Sequence, residues 1–248
     1  MKKWIGYACL LVLSYAVFML ATLPASLVIN KIKFPNTVSV VGIKGSIWHF
    51  TVDKIHAQNV EVSDVEATFN FSSLLTLDPQ LSITFGGPLH PGPEGKFIVH
   101  QLFSTPAVKE LSVLVLADQI AQQLPLPLPV KAHDYVALNL QQFVIDPQLR
   151  CQAVAGNLEW DKAAVTALEE KVILGKLSAD LSCDQGALVV EIDPNNDLGL
   201  SYSAYISANG KFSGSGYLKP GAKFPEKLKQ VLPFMGNPDN QGRYRLRM

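Results

Sequence analysis

The chain begins with one uninterrupted hydrophobic run and continues in alternating hydrophobic and polar positions. Trp4 to Leu23 is a run of twenty residues without a charge, preceded by Lys2 and Lys3 and followed by Pro24. As a helix with a rise of about 1.5 Å per residue, this run is about 30 Å long, the thickness of the hydrocarbon core of a bilayer. The pattern predicts one membrane-spanning helix over residues 4–24.

A cleavable signal peptide is the alternative interpretation, because Lys2 and Lys3 suit its basic end and Leu23-Pro24-Ala25 could serve as a cleavage site. The run is longer than the usual hydrophobic region of a signal peptide, and proline beside the scissile bond is unfavourable. We therefore favour a retained anchor. Since two lysines flank its N-terminal end, the positive-inside rule predicts a cytoplasmic N-terminus over residues 1–3 and translocation of everything after Pro24.

Alternation with a period of two predicts antiparallel β-strands over the first half of the remaining chain, residues 25–123. In Asp64–Phe71, hydrophobic residues alternate with Asp, Glu, Thr and Asn, which is typical of a strand with one buried face. Residues 86–95 hold three prolines and four glycines, and they predict a long exposed hairpin loop. Further strands are predicted over Leu81–Phe85, Phe97–Leu102 and Leu111–Leu116.

A change of pattern separates the two halves. Ala117–Leu124 contains good helix formers and predicts two helical turns. Pro125, Pro127 and Pro129 follow at alternate positions, which enforces an extended backbone and removes three donors. We interpret residues 124–130 as a stiff connection; a recognition motif for a partner is the alternative.

The second half, residues 131–248, again predicts strand after strand, with turns at Asp146-Pro147 and Asn209-Gly210 and a short helix over Pro225–Leu232. Two sets of alternate residues are expected to face inward: Leu149, Cys151, Ala153 and Ala155 in one strand, and Leu177, Ala179, Leu181 and Cys183 in another. The other predicted strands are Val136–Leu140, Phe143–Ile145, Ala187–Ile192, Leu198–Ile206, Lys211–Leu218 and Gly242–Arg247.

The three cysteines fit this topology. Cys9 lies inside the hydrophobic run, where a thiol behaves as a small hydrophobic group. Cys151 and Cys183 are the only two beyond it, and a pair in an oxidising compartment predicts a disulfide bond. Two buried free thiols are the alternative.

A short motif occurs once in each half. Gly45-Ser-Ile-Trp48 in the first half is similar to Gly156-Asn-Leu-Glu-Trp160 in the second. A glycine before a large aromatic residue in a strand indicates a close backbone approach or a bulge beside the ring. Internal duplication and chance similarity both remain open.

Composition and charge argue against a disordered chain and against a nucleic-acid-binding protein. Charged residues make up 17% of the chain and hydrophobic residues 48%, so the part after Pro24 can bury a core. Apart from Lys2 and Lys3, the chain has nearly equal numbers of basic and acidic residues. This balance gives no electrostatic footprint for nucleic acid.

Candidate chemistry is sparse. The five histidines, His49, His56, His90, His100 and His133, are scattered, and none has a metal-ligand spacing. The glycine-rich stretch 210–216 lies in strand-like sequence without a following helix, so it does not predict phosphate binding. We expect no catalytic, cofactor-binding or metal-binding residues, and hence no enzyme.

Five short segments, in this order along the chain, carry a family resemblance: Leu23-Pro-Ala-Ser-Leu-Val28, Gly42-Ile-Lys-Gly-Ser-Ile-Trp48, Cys151 with Gly156-Asn-Leu-Glu-Trp160, Leu181-Ser-Cys-Asp-Gln-Gly186, and Phe234-Met-Gly-Asn-Pro-Asp-Asn-Gln-Gly-Arg-Tyr-Arg245. Together they resemble the type II secretion system protein N family. The resemblance implies a single-pass inner-membrane protein with a periplasmic β domain, in a machine that exports folded proteins. That family is itself similar to AsmA-like proteins, which implies a curved open groove, with a sandwich as the alternative.

Two functions follow as hypotheses. The first is a non-enzymatic accessory of type II secretion whose partners are other secretion components. The second is an AsmA-like module whose β-groove binds or handles lipid. Its acyl chains would contact inward aromatic residues, for which an ordinary protein core is the competing interpretation: Phe69, Phe71, Phe85, Tyr202 and Phe212.

Overall fold

The computed structural model describes residues 2–31, 38–57, 60–87, 90–102, 107–123, 130–167 and 169–247. The fold is mainly β with one long apolar helix at its start, as predicted. The chain divides into two compact units, Met1–Gly92 and Pro93–Met248. The predicted division into halves on either side of residues 124–130 stays a prediction, and residues 124–129 lie outside the described part.

The first unit begins with α1 (Lys2–Ala21) and the short helix α2 (Ala25–Ile29). Its strands are β1 (Val38–Ser46), β2 (His49–Ala57), β3 (Val60–Asn70) and β4 (Gln80–Gly87), each antiparallel to the next. A 3₁₀ turn, Phe71–Leu74, follows β3. The helix ends at Ala21, whereas hydrophobicity predicted residues 4–24; Pro24 instead forms an isolated antiparallel bridge to Ser46.

Helix α1 is long and apolar enough over Trp4–Ala21 to cross a membrane. Its large hydrophobic side chains are exposed, from 80% for Trp4 to 50% for Met19. Thr22 closes its last turn, because both its backbone N–H and its hydroxyl donate to the Phe18 carbonyl. An apolar helix that exposes hydrophobic residues on all sides suits lipid rather than water.

The second unit is one open antiparallel sheet, and the strand that leads into it, β5 (His90–His100), pairs with β6 (Ala107–Leu116). The longest strand among the described residues is β9 (Cys151–Ala167). On one edge it pairs with β8 (Tyr135–Ile145) over its first part and with β7 (Val130–His133) over its last part, and on the other edge it pairs with β10 (Glu170–Asp184). The open antiparallel sheet agrees with the predicted fold class. The bounds of the remaining elements are α3 Ala117–Ala121, β11 Ala187–Ile192, β12 Leu200–Ile206, β13 Phe212–Leu218, α4 Glu226–Lys229, a 3₁₀ turn Leu232–Met235 and β14 Tyr244–Arg247.

The exposed loop predicted over residues 86–95 is wrong. Strand β4 continues to Gly87, and β5 already begins at His90. Pro91 and Pro93 are two residues apart, so both missing N–H groups lie along the same edge of β5. The other edge keeps its donors, and β5 pairs with β6 from Glu94 onward.

The inward face predicted for the start of β9 is partly wrong. Cys151 is buried, but Leu149 is 62% exposed and Ala153 and Ala155 are exposed as well. Leu149 precedes the strand in a turn with φ 62°. The face predicted for β10 is confirmed, since Ala179 and Leu181 are buried and Leu177 and Cys183 are half-buried.

Candidate functional site

The histidines form no metal or catalytic cluster within the described ranges, where no group of three metal-ligating side chains occurs. Two of them instead make contacts between neighbouring strands. His49 Nδ1 lies 3.0 Å from Thr68 Oγ1, and His133 Nε2 lies 2.7 Å from Thr166 Oγ1. These contacts stabilise strand pairs, and the prediction that the protein is not an enzyme stays a prediction.

The glycine-rich stretch 210–216 has a packing role. Gly210, with φ 76°, closes the β12–β13 hairpin, as Asn209-Gly210 predicted. A Cβ atom at Gly214 or Gly216 would collide with Tyr202, whose ring lies across β13. Burial raises the pKa of Tyr202, and its hydroxyl has no hydrogen-bond partner among the described residues.

The C-terminal end of α1 is attached to the β1–β2 hairpin, and we call this attachment the helix–hairpin junction. The Trp48 indole N–H donates to the Leu20 carbonyl at 2.9 Å. The Ile47 N–H donates to the Leu23 carbonyl at 3.0 Å, and Pro24 bridges to Ser46. The hairpin turn therefore satisfies carbonyl groups that the end of a helix leaves open.

An aromatic cluster lies beside this junction. The Trp48 ring centroid is 5.3 Å from that of Phe69 and 5.0 Å from that of Phe71, and the two phenylalanine rings are 5.5 Å apart. Distances of this size are typical of favourable aromatic pairs. Phe69 is half-buried, whereas Phe71 is 57% exposed.

The second unit contains an apolar cavity of about 330 Å³ on one face of its sheet. Pockets for small apolar ligands begin at about this volume. Trp160 closes part of it and donates its indole N–H to the His133 carbonyl at 2.9 Å. The lining contains one hydroxyl and no charged group: Ala117, Ile120, Ala121, Val130, Ala132, Val136, Leu158, Trp160, Val165, Leu177, Ser178, Ala179, Val190 and Ile192.

Helix α3 covers one side of this cavity. The carboxylate of Asp118 accepts from the backbone N–H of Ala132 at 3.1 Å, and from Gln122 Nε2 at 2.8 Å. The Ala117 N–H donates to the Asp134 carbonyl at 2.9 Å. These bonds hold α3 on β7, and the small alanine side chains beneath it leave the space open.

The aromatic residues predicted to line a groove are not brought together around this cavity. Phe69 and Phe71 belong to the aromatic cluster, Tyr202 packs on β13, and Phe212 is 40% exposed. Phe85 is likewise not part of the lining. Aliphatic side chains and Trp160 form this lining instead, and a lipid groove lined by the aromatic residues stays a prediction.

Cys151 and Cys183 are joined by a disulfide bond, as predicted, with their Cα atoms 5.5 Å apart. The bond links the start of β9 to the end of β10, and the Cys151 N–H donates to the Gly186 carbonyl at 2.9 Å. Cys9 is a free thiol on α1.

The turn before Cys151 is held by Asp146. Desolvation of its carboxyl opposes ionisation, but hydrogen bonds from the N–H groups of Arg150 and Gln148 and from the Arg150 guanidinium outweigh it and lower the pKa of Asp146. Asp239 has the same arrangement, since hydrogen bonds from the backbone and guanidinium of Arg243 lower its pKa. Both carboxylates therefore stay ionised in folded protein at neutral pH.

The fold and these sites define an antiparallel β protein that follows an apolar helix and has an apolar cavity, without a metal-ligand cluster in the described ranges. The family model described as type II secretion system (T2SS), protein N, matches residues 36–247. The chain belongs to this family.

Relatives along the whole length agree with this assignment. The type II secretion system protein N of Aeromonas hydrophila is 29% identical over 100% of this chain and 98% of the relative. The protein of that name in Vibrio cholerae serotype O1 is 24% identical over 98% of this chain and 97% of its own. The one in Pectobacterium carotovorum subsp. carotovorum is 26% identical, with 98% and 95% covered. No solved structure matches the chain.

Proposed function

We propose that this protein is a non-enzymatic accessory component of type II secretion in the inner membrane. In this proposal α1 is retained as a single-pass anchor, residues 1–3 are cytoplasmic, and the β units lie in the periplasm. There the protein contacts other secretion components and supports export of folded proteins across the outer membrane.

The observation that carries the proposal is the family membership, which the family model shows over residues 36–247. The relative from Aeromonas hydrophila extends the similarity over the apolar helix as well. The helix–hairpin junction supports retention of α1, because three backbone and side-chain attachments fold the end of the helix into the sheet. Cleavage of a signal peptide after Leu23 or Ala25 would remove the Leu20 and Leu23 carbonyls, and with them the bonds from Trp48 and Ile47. The disulfide bond is consistent with an oxidising compartment.

The test is deletion combined with crosslinking in secreting cells. We expect deletion to reduce the amount of exported protein in the medium, and restoration by the full chain. We expect crosslinks to other secretion components, and protection of an N-terminal epitope tag from protease added to spheroplasts. Unchanged export after deletion, together with an uncrosslinked protein, would overturn the proposal.

Lipid binding is a second candidate function, and the apolar cavity favours it. With a volume of about 330 Å³ and one hydroxyl in its lining, the cavity suits an aliphatic chain segment rather than a polar ligand. The competing interpretation is a loosely packed core beneath α3.

A substitution that fills the cavity distinguishes lipid binding from a loosely packed core. Ala179 is 4% exposed and lines the cavity, so Ala179→Leu extends a side chain into it. Ala153→Leu adds the same side chain to the exposed face of β9 and is the control. In native mass spectrometry of the full chain, we expect bound lipid with the control and a loss of about five-fold or more with Ala179→Leu. Lipid around α1 is common to both variants, so equal amounts in both would contradict lipid binding in the cavity.

A further inference from the structure

The segment after β3 exposes hydrophobic side chains that the sheet does not cover. We call residues Phe71–Leu77 the leucine turn. Within it Phe71 is 57% exposed, Leu74 46%, Leu75 89% and Leu77 92%. The segment contains no charged residue.

The leucine turn is held in this exposed conformation by its own hydrogen bonds. Ser73 is buried, and its hydroxyl accepts from the Gln80 N–H at 3.0 Å. Its carbonyl accepts from the Thr76 hydroxyl at 2.9 Å and from the Asp78 N–H at 3.2 Å. The leucines are therefore presented outward by a closed turn.

Leu77 has φ 55°, in the left-handed region that suits glycine or asparagine. A leucine there costs about 1–2 kcal/mol relative to the ordinary helical conformation. Since its side chain is almost fully exposed, the protein core offers no compensation. Contact with an apolar environment outside the protein would explain why a leucine occupies this position.

The aromatic cluster connects the leucine turn to the end of α1. Phe71, the first residue of the turn, packs on Trp48, and the Trp48 indole donates to the Leu20 carbonyl. Trp48 therefore connects the first residue of the leucine turn to the last turn of α1. Tryptophan at such a place is typical of the boundary between lipid hydrocarbon and water.

We infer that the leucine turn inserts into the lipid interface of the same membrane that α1 spans, on its periplasmic side. The inference rests on the proposed function, because it takes α1 as a membrane anchor. A bilayer is the occupant because the turn is attached to the helix at the level where that helix leaves the hydrocarbon. Because the leucine turn is uncharged, its insertion requires no desolvation of an ionised group. Interfacial segments bury their apolar side chains about 5–10 Å deep in the membrane.

Depth-dependent fluorescence quenching tests the insertion. The full chain with Cys9→Ala is labelled with an environment-sensitive dye at Leu75→Cys or Leu77→Cys and reconstituted into phosphatidylcholine and phosphatidylglycerol vesicles that contain lipid-attached quencher. Val60→Cys is the matched control, because Val60 is also an exposed apolar residue, 41%, and lies at the opposite end of β3, about 30 Å away. Non-reducing gels verify that Cys151 and Cys183 remain joined in each variant.

We expect the dyes at positions 75 and 77 to be quenched about two-fold or more above the control at position 60. Equal quenching at all three positions in vesicles from which alkaline extraction does not release the protein would overturn the insertion and leave the anchor intact. Release of the protein by alkaline extraction would overturn the anchor and the insertion together. Protection of these positions that requires added secretion components would assign the leucine turn to a protein partner and overturn the lipid inference.

Discussion

At the scale of single residues, backbone conformation explains where the hydrophobic pattern misled. Leu149 continues the alternation of Cys151 and Ala153, so the sequence predicted an inward side chain. The chain instead reverses at Asp146–Arg150, where Asp146 N–H donates to the Arg150 carbonyl and Leu149 takes φ 62°. A residue that takes the left-handed conformation in a turn can be hydrophobic or polar. Hydrophobic alternation alone therefore could not identify this turn.

Leu149→Gly is expected to stabilise the protein. The left-handed conformation costs leucine about 1–2 kcal/mol, and the entropy of glycine in the unfolded chain offsets about 0.5–1 kcal/mol of the gain. We expect the free energy of unfolding in detergent to rise by about 0.5–1 kcal/mol. Leu149→Ala removes the same exposed side chain but keeps a Cβ, so an equal rise in that control would contradict the explanation.

The lowered pKa of Asp146 makes a pH-dependent contribution to stability. A carboxyl whose pKa is lower in the folded state stabilises above its unfolded pKa and loses this effect as the pH falls through the folded value. We expect Asp146→Asn to lower the free energy of unfolding at neutral pH and to approach the unsubstituted protein below about pH 4. Denaturation at several pH values measures this, with Asp180→Asn, exposed on β10, as control; a difference independent of pH would refute it.

At the scale of elements, two tryptophans with a glycine shortly before them have the same role. Trp48 and Trp160 each donate the indole N–H to a backbone carbonyl, of Leu20 and His133. Trp48 thereby attaches the β1–β2 hairpin to α1, and Trp160 attaches β9 to the end of β7. The predicted close approach at the preceding glycines is confirmed, since a Cβ at Gly45 would meet the His49 carbonyl and one at Gly156 the Asn139 carbonyl.

The attachment of α3 depends on one carboxylate. Asp118→Ala leaves the N–H of buried Ala132 without its acceptor, and an unpaired buried donor costs about 1–3 kcal/mol. We expect a loss of about this size in the free energy of unfolding, with faster hydrogen exchange in Val130–His133. Asp180→Ala, exposed on β10, should change neither quantity. Unchanged exchange in β7 after the first substitution would contradict the attachment.

The disulfide bond constrains strands β9 and β10 in the unfolded chain. It closes a loop with a sequence separation of 32 residues. The chain-entropy model gives about 3–4 kcal/mol for a loop of this length. We expect the double variant Cys151→Ser, Cys183→Ser to lose up to this amount, whereas Cys9→Ser should lose little. Reductant should lower the stability of the unsubstituted protein and leave the double variant unchanged.

At the scale of the whole molecule, the fold class followed from local pattern, but the cavity did not. Alternation predicted the β-strands, and one apolar run predicted α1, because each depends on a few adjacent residues. The cavity needs Ala132 of β7, Ala179 of β10 and Val190 of β11 on one face. Strand order brings them together, and no spacing along the chain encodes that order.

The open sheet of the second unit has a consequence for self-association. Its last strand in the described order is β14, whose outer edge has no partner strand among the described residues. Free edges invite pairing with another chain, and short strands with charged residues discourage it. Strand β14 is only four residues long, and its Arg245 and Arg247 are exposed.

We expect these two arginines to disfavour edge-to-edge pairing of β14 with another chain. Arg245→Thr with Arg247→Thr keeps β-propensity and removes both charges. We expect this double variant to form larger species in analytical ultracentrifugation at low ionic strength, while Lys171→Thr with Lys176→Thr on the inner strand β10 remains unchanged. An open sheet whose edge is protected in this way would accept an added strand only from a selected partner.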